Sequence, residues 1–220
     1  MKIAKANCVE ICLSSWDSNG ERMLSLKTGE TFDSPNFHYR SLHLPDVNDQ
    51  EPEHQLAMTQ EAVICCDAIV ALTHPLKVEG DYPTKYYEKM IFSGVPLAIE
   101  NMDSRKDSGF NLTELERLVK VVGCLFVLDV QHAYEHDSEM KYAGDLLESL
   151  ENHLVHLHVS GETESNIHSL VYRARNTKKI VEFIGKVLSI KNIPLILEGE
   201  YTTTDELRQE IEFLTRELSL

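Results

Sequence analysis

Short apolar runs alternate with longer amphipathic stretches along the whole chain. The runs fall at 9–13, 41–44, 68–73, 95–99, 125–128, 154–159 and 194–197, and they are rich in Val, Ile and Leu. Continuous apolar runs of this length mark parallel strands that are covered on both faces. The stretches between them have helical spacing. Leu112, Leu115, Leu118, Val119 and Val122 share one face, and Thr113 with Glu116 has the form of a capping box. A second helix is predicted over 138–150 on Leu146, Leu147 and Leu150. A long one is predicted over 168–188, with Ile180, Phe183, Ile184 and Val187 opposite a basic side. Thr203 with Glu206 caps a last helix, whose apolar residues are Leu207, Ile211, Leu214 and Leu218.

Strand–helix alternation throughout predicts an α/β fold with a parallel sheet, and specifically a (β/α) TIM-type barrel. Seven strands are clear. An eighth would lie in 23–37, or be degenerate after Glu164, or be absent. No linker, fixed-period repeat or low-complexity segment interrupts the pattern, so residues 1–220 are read as a single barrel domain. Apolar residues make up 42% and charged residues 26%, a balance that supports one sizeable core.

Thirty-six acidic and 21 basic residues give a net charge of −15, which repels phosphate backbones and anionic membranes. Nucleic acid is therefore not an expected partner, and a small molecule is. The one dense basic stretch, Arg173, Arg175, Lys178 and Lys179, is spaced as the solvated face of a helix. Cys8, Cys12, Cys65, Cys66 and Cys124 lie in or beside apolar runs with no CxxC pair, which reads as reduced core thiols. With neither a membrane span nor a signal-peptide pattern, a cytoplasmic protein is expected. Nothing in the sequence sets the oligomeric state.

The candidate chemistry lies in what closes each run. The second ends His43-Leu44-Pro45, the third Thr73-His74-Pro75, and the fourth Ile99-Glu100-Asn101. The fifth ends Leu128-Asp129, followed by Gln131-His132. The sixth is His156-Leu157-His158, and the seventh ends Leu197-Glu198-Gly199. In a parallel barrel the C-terminal strand ends share one rim, so these side chains converge. Carboxylate and imidazole donors together suit Mn²⁺, Zn²⁺, Co²⁺ or Mg²⁺. His156 and His158 are two apart and face the same way; His158, nearer the rim, is the candidate ligand. Glu162 is within reach of the site from its loop. Glu10, inside the first run, is either inward-facing or without a reading. Trp16 is a pocket wall or a packed loop residue. His38, His54, His136, His153 and His168 are taken as solvated; Lys77, Arg105 and Lys106 are possible phosphate donors or, more simply, solvated loop charges.

Four motifs in order resemble the xylose-isomerase-like TIM-barrel superfamily. They are Val-Pro-Leu-Ala-Ile-Glu100-Asn-Met, Leu-Asp129-Val-Gln-His132-Ala, His156-Leu-His158-Val-Ser-Gly-Glu, and Pro-Leu-Ile-Leu-Glu198-Gly. The group includes sugar isomerases and epimerases and the endonuclease IV type of apurinic endonuclease. The resemblance implies a divalent metal held by Glu100, Asp129, His158 and Glu198, with His132 as a substrate contact. It implies a metal-dependent isomerase or epimerase of a small sugar-like hydroxycarbonyl compound. Glu100 and Glu198 would then move the proton, through a metal-stabilised enediolate. His43 and His74 resemble strand-end histidines of the endonuclease branch and, with Glu162, form a second tier. The Asp-x-His pair of that branch is missing after His158, which favours one metal over a cluster. Two alternatives stand beside the isomerase: a metal-dependent phosphoesterase, and a non-catalytic degenerate barrel that binds a small ligand.

Overall fold

All seven apolar runs are strands. In the computed structural model, which describes residues 6–17, 20, 37–47 and 51–220, they form one parallel sheet whose spatial order equals the chain order. The strands are β1 (Cys8–Cys12), β2 (Tyr39–His43), β3 (Val70–Thr73), β4 (Leu97–Glu100), β5 (Leu125–Asp129), β6 (Leu154–Val159) and β7 (Leu195–Leu197). The helices are α1 (Pro52–Cys66), α2 (Thr84–Phe92), α3 (Leu112–Glu116), α4 (Val130–His136), α5 (Lys141–Leu150), α6 (Thr177–Ile190) and α7 (Thr204–Leu218). The sheet curls into a nearly closed TIM-type barrel. Among the described residues no backbone ladder joins β7 to β1. Side chains span that seam instead, the Cys8 thiol donating to the Leu195 carbonyl at 3.4 Å. Most of 23–37, one place predicted for an eighth strand, lies outside the described residues. The other, after Glu164, holds only a single bridge between Gly161 and Ser169.

Strand periodicity sorts the side chains into two sets. Ile11, Leu42, Ala71, Leu97, Ile99, Phe126, Leu128, Leu157 and Val159 are buried in the large core. Residues of the opposite parity point inward. Val70, Leu72, Ala98 and Val127 form a separate small apolar cluster inside the barrel. Glu10, His43, Glu100, Asp129, His156 and His158 continue this inward parity, and so do His74 and Glu198 just past their strands. The barrel thus has an apolar filling and a polar end.

Several helix boundaries differ from the sequence expectation. The cap of α3 is Asn111, whose side chain accepts the Glu114 amide at 3.2 Å, rather than Thr113 with Glu116. The last turns, Arg117–Val122, widen into π-type turns that bury Leu118 and Val119. Asp137 accepts the amides of Lys141 and Tyr142, so α5 begins at Lys141 and not at 138. The helix expected from 168 begins at Thr177. Before it, a short 3-10 turn, Val171–Arg173, is held by the buried Glu210 of α7, which accepts the amides of Val171 at 2.7 Å and Tyr172 at 3.1 Å. Arg173 and Arg175 therefore precede the helix; they pair with Glu206 and Glu162. The cap of α7 is as expected, Thr203 accepting the Glu206 amide. No helix among the described residues is long and apolar enough to cross a membrane.

Replacing Glu210 with alanine strands two backbone donors, at least one of them fully buried. The expected loss is about 1–3 kcal/mol of unfolding free energy, read from urea denaturation. An unchanged midpoint would mean that the 171–173 turn contributes nothing to global stability.

Candidate metal centre

Strand ends bring four of the sequence-nominated residues to one point. Glu100 closes β4, Asp129 closes β5, His158 lies near the end of β6, and Glu198 follows β7. Each offers one donor atom, and the four atoms lie within 4.8 Å of one another. Asp129 and His158 are register partners on adjacent strands. His158 Nδ1 is 3.1 Å from Glu100 Oε1 and 3.0 Å from Glu198 Oε1. Glu100, Asp129 and His158 are essentially inaccessible to solvent, whereas the Glu198 side chain is 24% exposed. The Glu198-Gly199 pair has a steric reason. A Cβ at Gly199 would lie 2.9 Å from the Ser169 carbonyl oxygen, so only glycine lets the chain pass there.

Three carboxylates around one imidazole is an unbalanced set. Burial opposes charge on Glu100, but His158, then His43 and His132, hold its carboxyl well below the usual range. Glu198 goes the other way: burial pushes its carboxyl up, His158 only partly offsets this, and Glu100 and Asp129 add to it. Burial would also discharge His158, yet Glu198, Glu100 and Glu10 raise its pKa well above the ordinary value. Two oxygens, Glu100 Oε2 and Asp129 Oδ2, are buried with no hydrogen-bond partner. Unpartnered buried carboxylate oxygens are costly. A divalent cation would satisfy both, and the oxygen-rich, sulfur-free donor set fits one.

The surrounding residues fix these candidate donors. Asp129 caps α4 by accepting the His132 amide at 2.6 Å. Asn101 brackets Asp129, donating to its carbonyl at 2.9 Å and accepting its amide at 2.8 Å. His132 Nδ1 donates to the Asn101 carbonyl at 2.9 Å, which in the neutral ring leaves Nε2 with its lone pair. His43 and His74 form a second donor group with Glu100 within 4.8 Å. His74 also pairs with Asp46 at 2.5 Å.

Other assignments change. Glu162 is in none of the donor groups; its carboxylate is held by Arg175 at 2.9 Å. His168, taken as solvated, joins Asp129 and His132 in a further donor group and packs edge-on against the His132 ring. His54 and His136 are tied to the carbonyls of Trp16 and Met102. Trp16 is a packed loop residue that donates to the Asp46 carbonyl. Arg105 forks onto Asp103, and Lys77 pairs with Glu114. Glu10 faces inward: Oε1 lies 3.1 Å from His158 Nε2, and Oε2 lies 3.5 Å from His156 Nε2. Burial would raise its carboxyl, but His158 and His156 bring it down to about 2. Strand parity alone pointed to Glu10, since Val9, Ile11 and Leu13 alternate with it.

The barrel has solved counterparts. A D-tagatose 3-epimerase-like protein superposes with a TM-score of 0.67 at 15% identity, over 98% of this chain and 89% of that one. A xylose isomerase domain-containing protein from Salmonella typhimurium LT2 superposes with a TM-score of 0.60 at 12% identity, over the whole of both chains. The chain thus shares the TIM-type barrel fold of these two proteins. No protein-family model matches the chain, and no curated protein matches it in sequence.

In metal-free protein, folded Glu198 keeps its proton at pH values where the unfolded chain has lost it. The carboxyl therefore reduces stability progressively as pH rises from the ordinary carboxylate range toward its raised value. With chelator present, Glu198→Gln is expected to raise Tm, with the gain near zero in acid and growing toward neutral pH. A gain independent of pH would rule out this crowding.

Proposed function

We propose that the chain is a metal-dependent isomerase or epimerase acting on a small sugar-like hydroxycarbonyl compound. The observation that carries this reading is the quartet itself: Glu100, Asp129, His158 and Glu198 with their donor atoms within 4.8 Å, two buried oxygens among them without a hydrogen bond. A divalent cation held by these four supplies Lewis-acid polarisation of a carbonyl oxygen. The chain's own residues supply the rest. Glu100 and Glu198 come from strands on either side of β5 and β6, and two carboxylates so placed serve as base and acid for a proton on carbon. Glu198 is the more open of the two and takes the solvent-facing role. His132, with Nδ1 committed to Asn101, offers Nε2 as an acceptor that orients a substrate hydroxyl. The apolar cluster of Val70, Leu72, Ala98 and Val127 limits water from below. The names of the two barrels of like fold agree with a sugar substrate.

A second reading is favoured by one observation. Four further donor groups share a residue with the quartet: His43 and His74 with Glu100, His132 and His168 with Asp129, Glu10 and His156 with His158, and Glu10 and His43 with Glu198. More than one cation would make the site a metal-dependent phosphoesterase.

Elemental analysis of the purified protein separates the two. One divalent ion per chain is expected; two or three would favour the hydrolase. For the isomerase itself, ketose and aldose panels in deuterium oxide are expected to show deuterium at the carbon beside the carbonyl. Chelation should abolish that exchange. Glu100→Gln and Glu198→Gln should each slow it by about 10²–10⁴-fold. Exchange that survives both substitutions would exclude these carboxylates as the proton carriers.

A further inference from the structure

The carboxylate that the quartet leaves out is Glu10, and its surroundings assign it a task. We propose that Glu10 is a positioning residue that fixes the His158 ring with Nδ1 free to bind a cation. The inference rests on the metal-centre reading above.

His158 uses its two nitrogens in opposite directions. Nδ1 faces Glu100 and Glu198 at 3.1 and 3.0 Å, so it is the nitrogen directed at the quartet. Nε2 faces Glu10 Oε1 at 3.1 Å. A neutral imidazole that ligates through Nδ1 carries its single proton on Nε2. That proton needs an acceptor, since the ring is fully buried. Two candidates are near it, Glu10 Oε1 and His156 Nε2, the latter at 3.2 Å. Tyr39 decides between them. Its hydroxyl lies 2.6 Å from His156 Nδ1. A Tyr39 hydroxyl donating there leaves the His156 proton on Nε2, which lies 3.5 Å from Glu10 Oε2. His156 Nε2 then has no lone pair to offer, which leaves Glu10 Oε1 as the acceptor for the His158 N–H. An ionised carboxylate is in any case a stronger acceptor than a neutral ring. Glu10 is itself held, because Ser41 donates to its Oε2 at 2.7 Å. Among the described residues its ion-pair partners are His156 and His158. Carboxylate, imidazole and cation in line is the arrangement by which an outer carboxylate sets a ligand's tautomer and raises its basicity.

The test compares Zn²⁺ affinity, by chelator competition, in wild type, Glu10→Gln and Glu10→Ala. Alanine should weaken binding about 10–100-fold, and glutamine, which keeps an acceptor but loses the charge, about tenfold. Cys8→Ala removes another contact across the same seam without touching the site, and should bind as wild type does. Imidazole ¹⁵N spectra of the Zn²⁺-loaded wild type should show His158 metal-bound at Nδ1 and protonated at Nε2. Should Glu10→Ala fail to fold, Glu10→Gln decides alone. Wild-type affinity in a folded Glu10 variant, or a His158 bound through Nε2, overturns this inference while leaving the metal centre standing. A wild type that takes up no Zn²⁺, Mn²⁺, Co²⁺ or Mg²⁺ overturns the metal centre and this inference together.

Discussion

Every second residue of a strand must face the barrel interior, and seven parallel strands deliver those residues to one shared end. The rest of the molecule answers to that constraint. An apolar residue at an inward position fills the barrel, as Val70, Leu72, Ala98 and Val127 do. A polar one at the same parity joins an enclosed network from which it has no exit. Surface loops tolerate charge because water solvates it. The inner rim does not, so each carboxylate there needs a proton, a partner or a cation.

The network is arranged around that need. Histidines reach Glu100 from β2, β6 and the residues just after β3 and β5. His158 is shared by carboxylates on both of its nitrogens. Asn101 adds a rigid element, since its side chain continues the β4–β5 pairing past the last ladder bond and ties the Asp129 backbone in place. The candidate donors thus stand on strand ends, with supports drawn from neighbouring strands, which keeps a site more accurately placed than loops alone would.

The fold was legible because burial on both faces leaves a simple trace, a short unbroken apolar run, and the seven runs coincide with the seven strands. The quartet was legible for a related reason: a carboxylate or histidine that ends such a run has one place to go. Glu10 was harder to read because its partners, on β6, come near only when the sheet curls round to bring its first and penultimate strands together. His168 was hidden by its loop, whose path depends on the buried Glu210 and the tight approach at Gly199. Asn111 was missed as the α3 cap because Thr113 with Glu116 offers the same local chemistry two residues on. Tertiary packing chose between them, and local pattern could not.

The seam between β1 and β7 has a consequence of its own. Elsewhere the wall is a ladder of peptide groups, each bond supported by its neighbours. Here, among the described residues, the bridging contacts come from side chains: a thiol on the Leu195 carbonyl, and beside it the contact of Glu10 with the two β6 histidines. Such a join has no repeating unit, so it opens one contact at a time. Because His158 belongs to both this join and the donor quartet, the wall and the centre share one residue, so a change at either is felt at the other. The amides along these two edge strands are where opening of the join is read by hydrogen exchange.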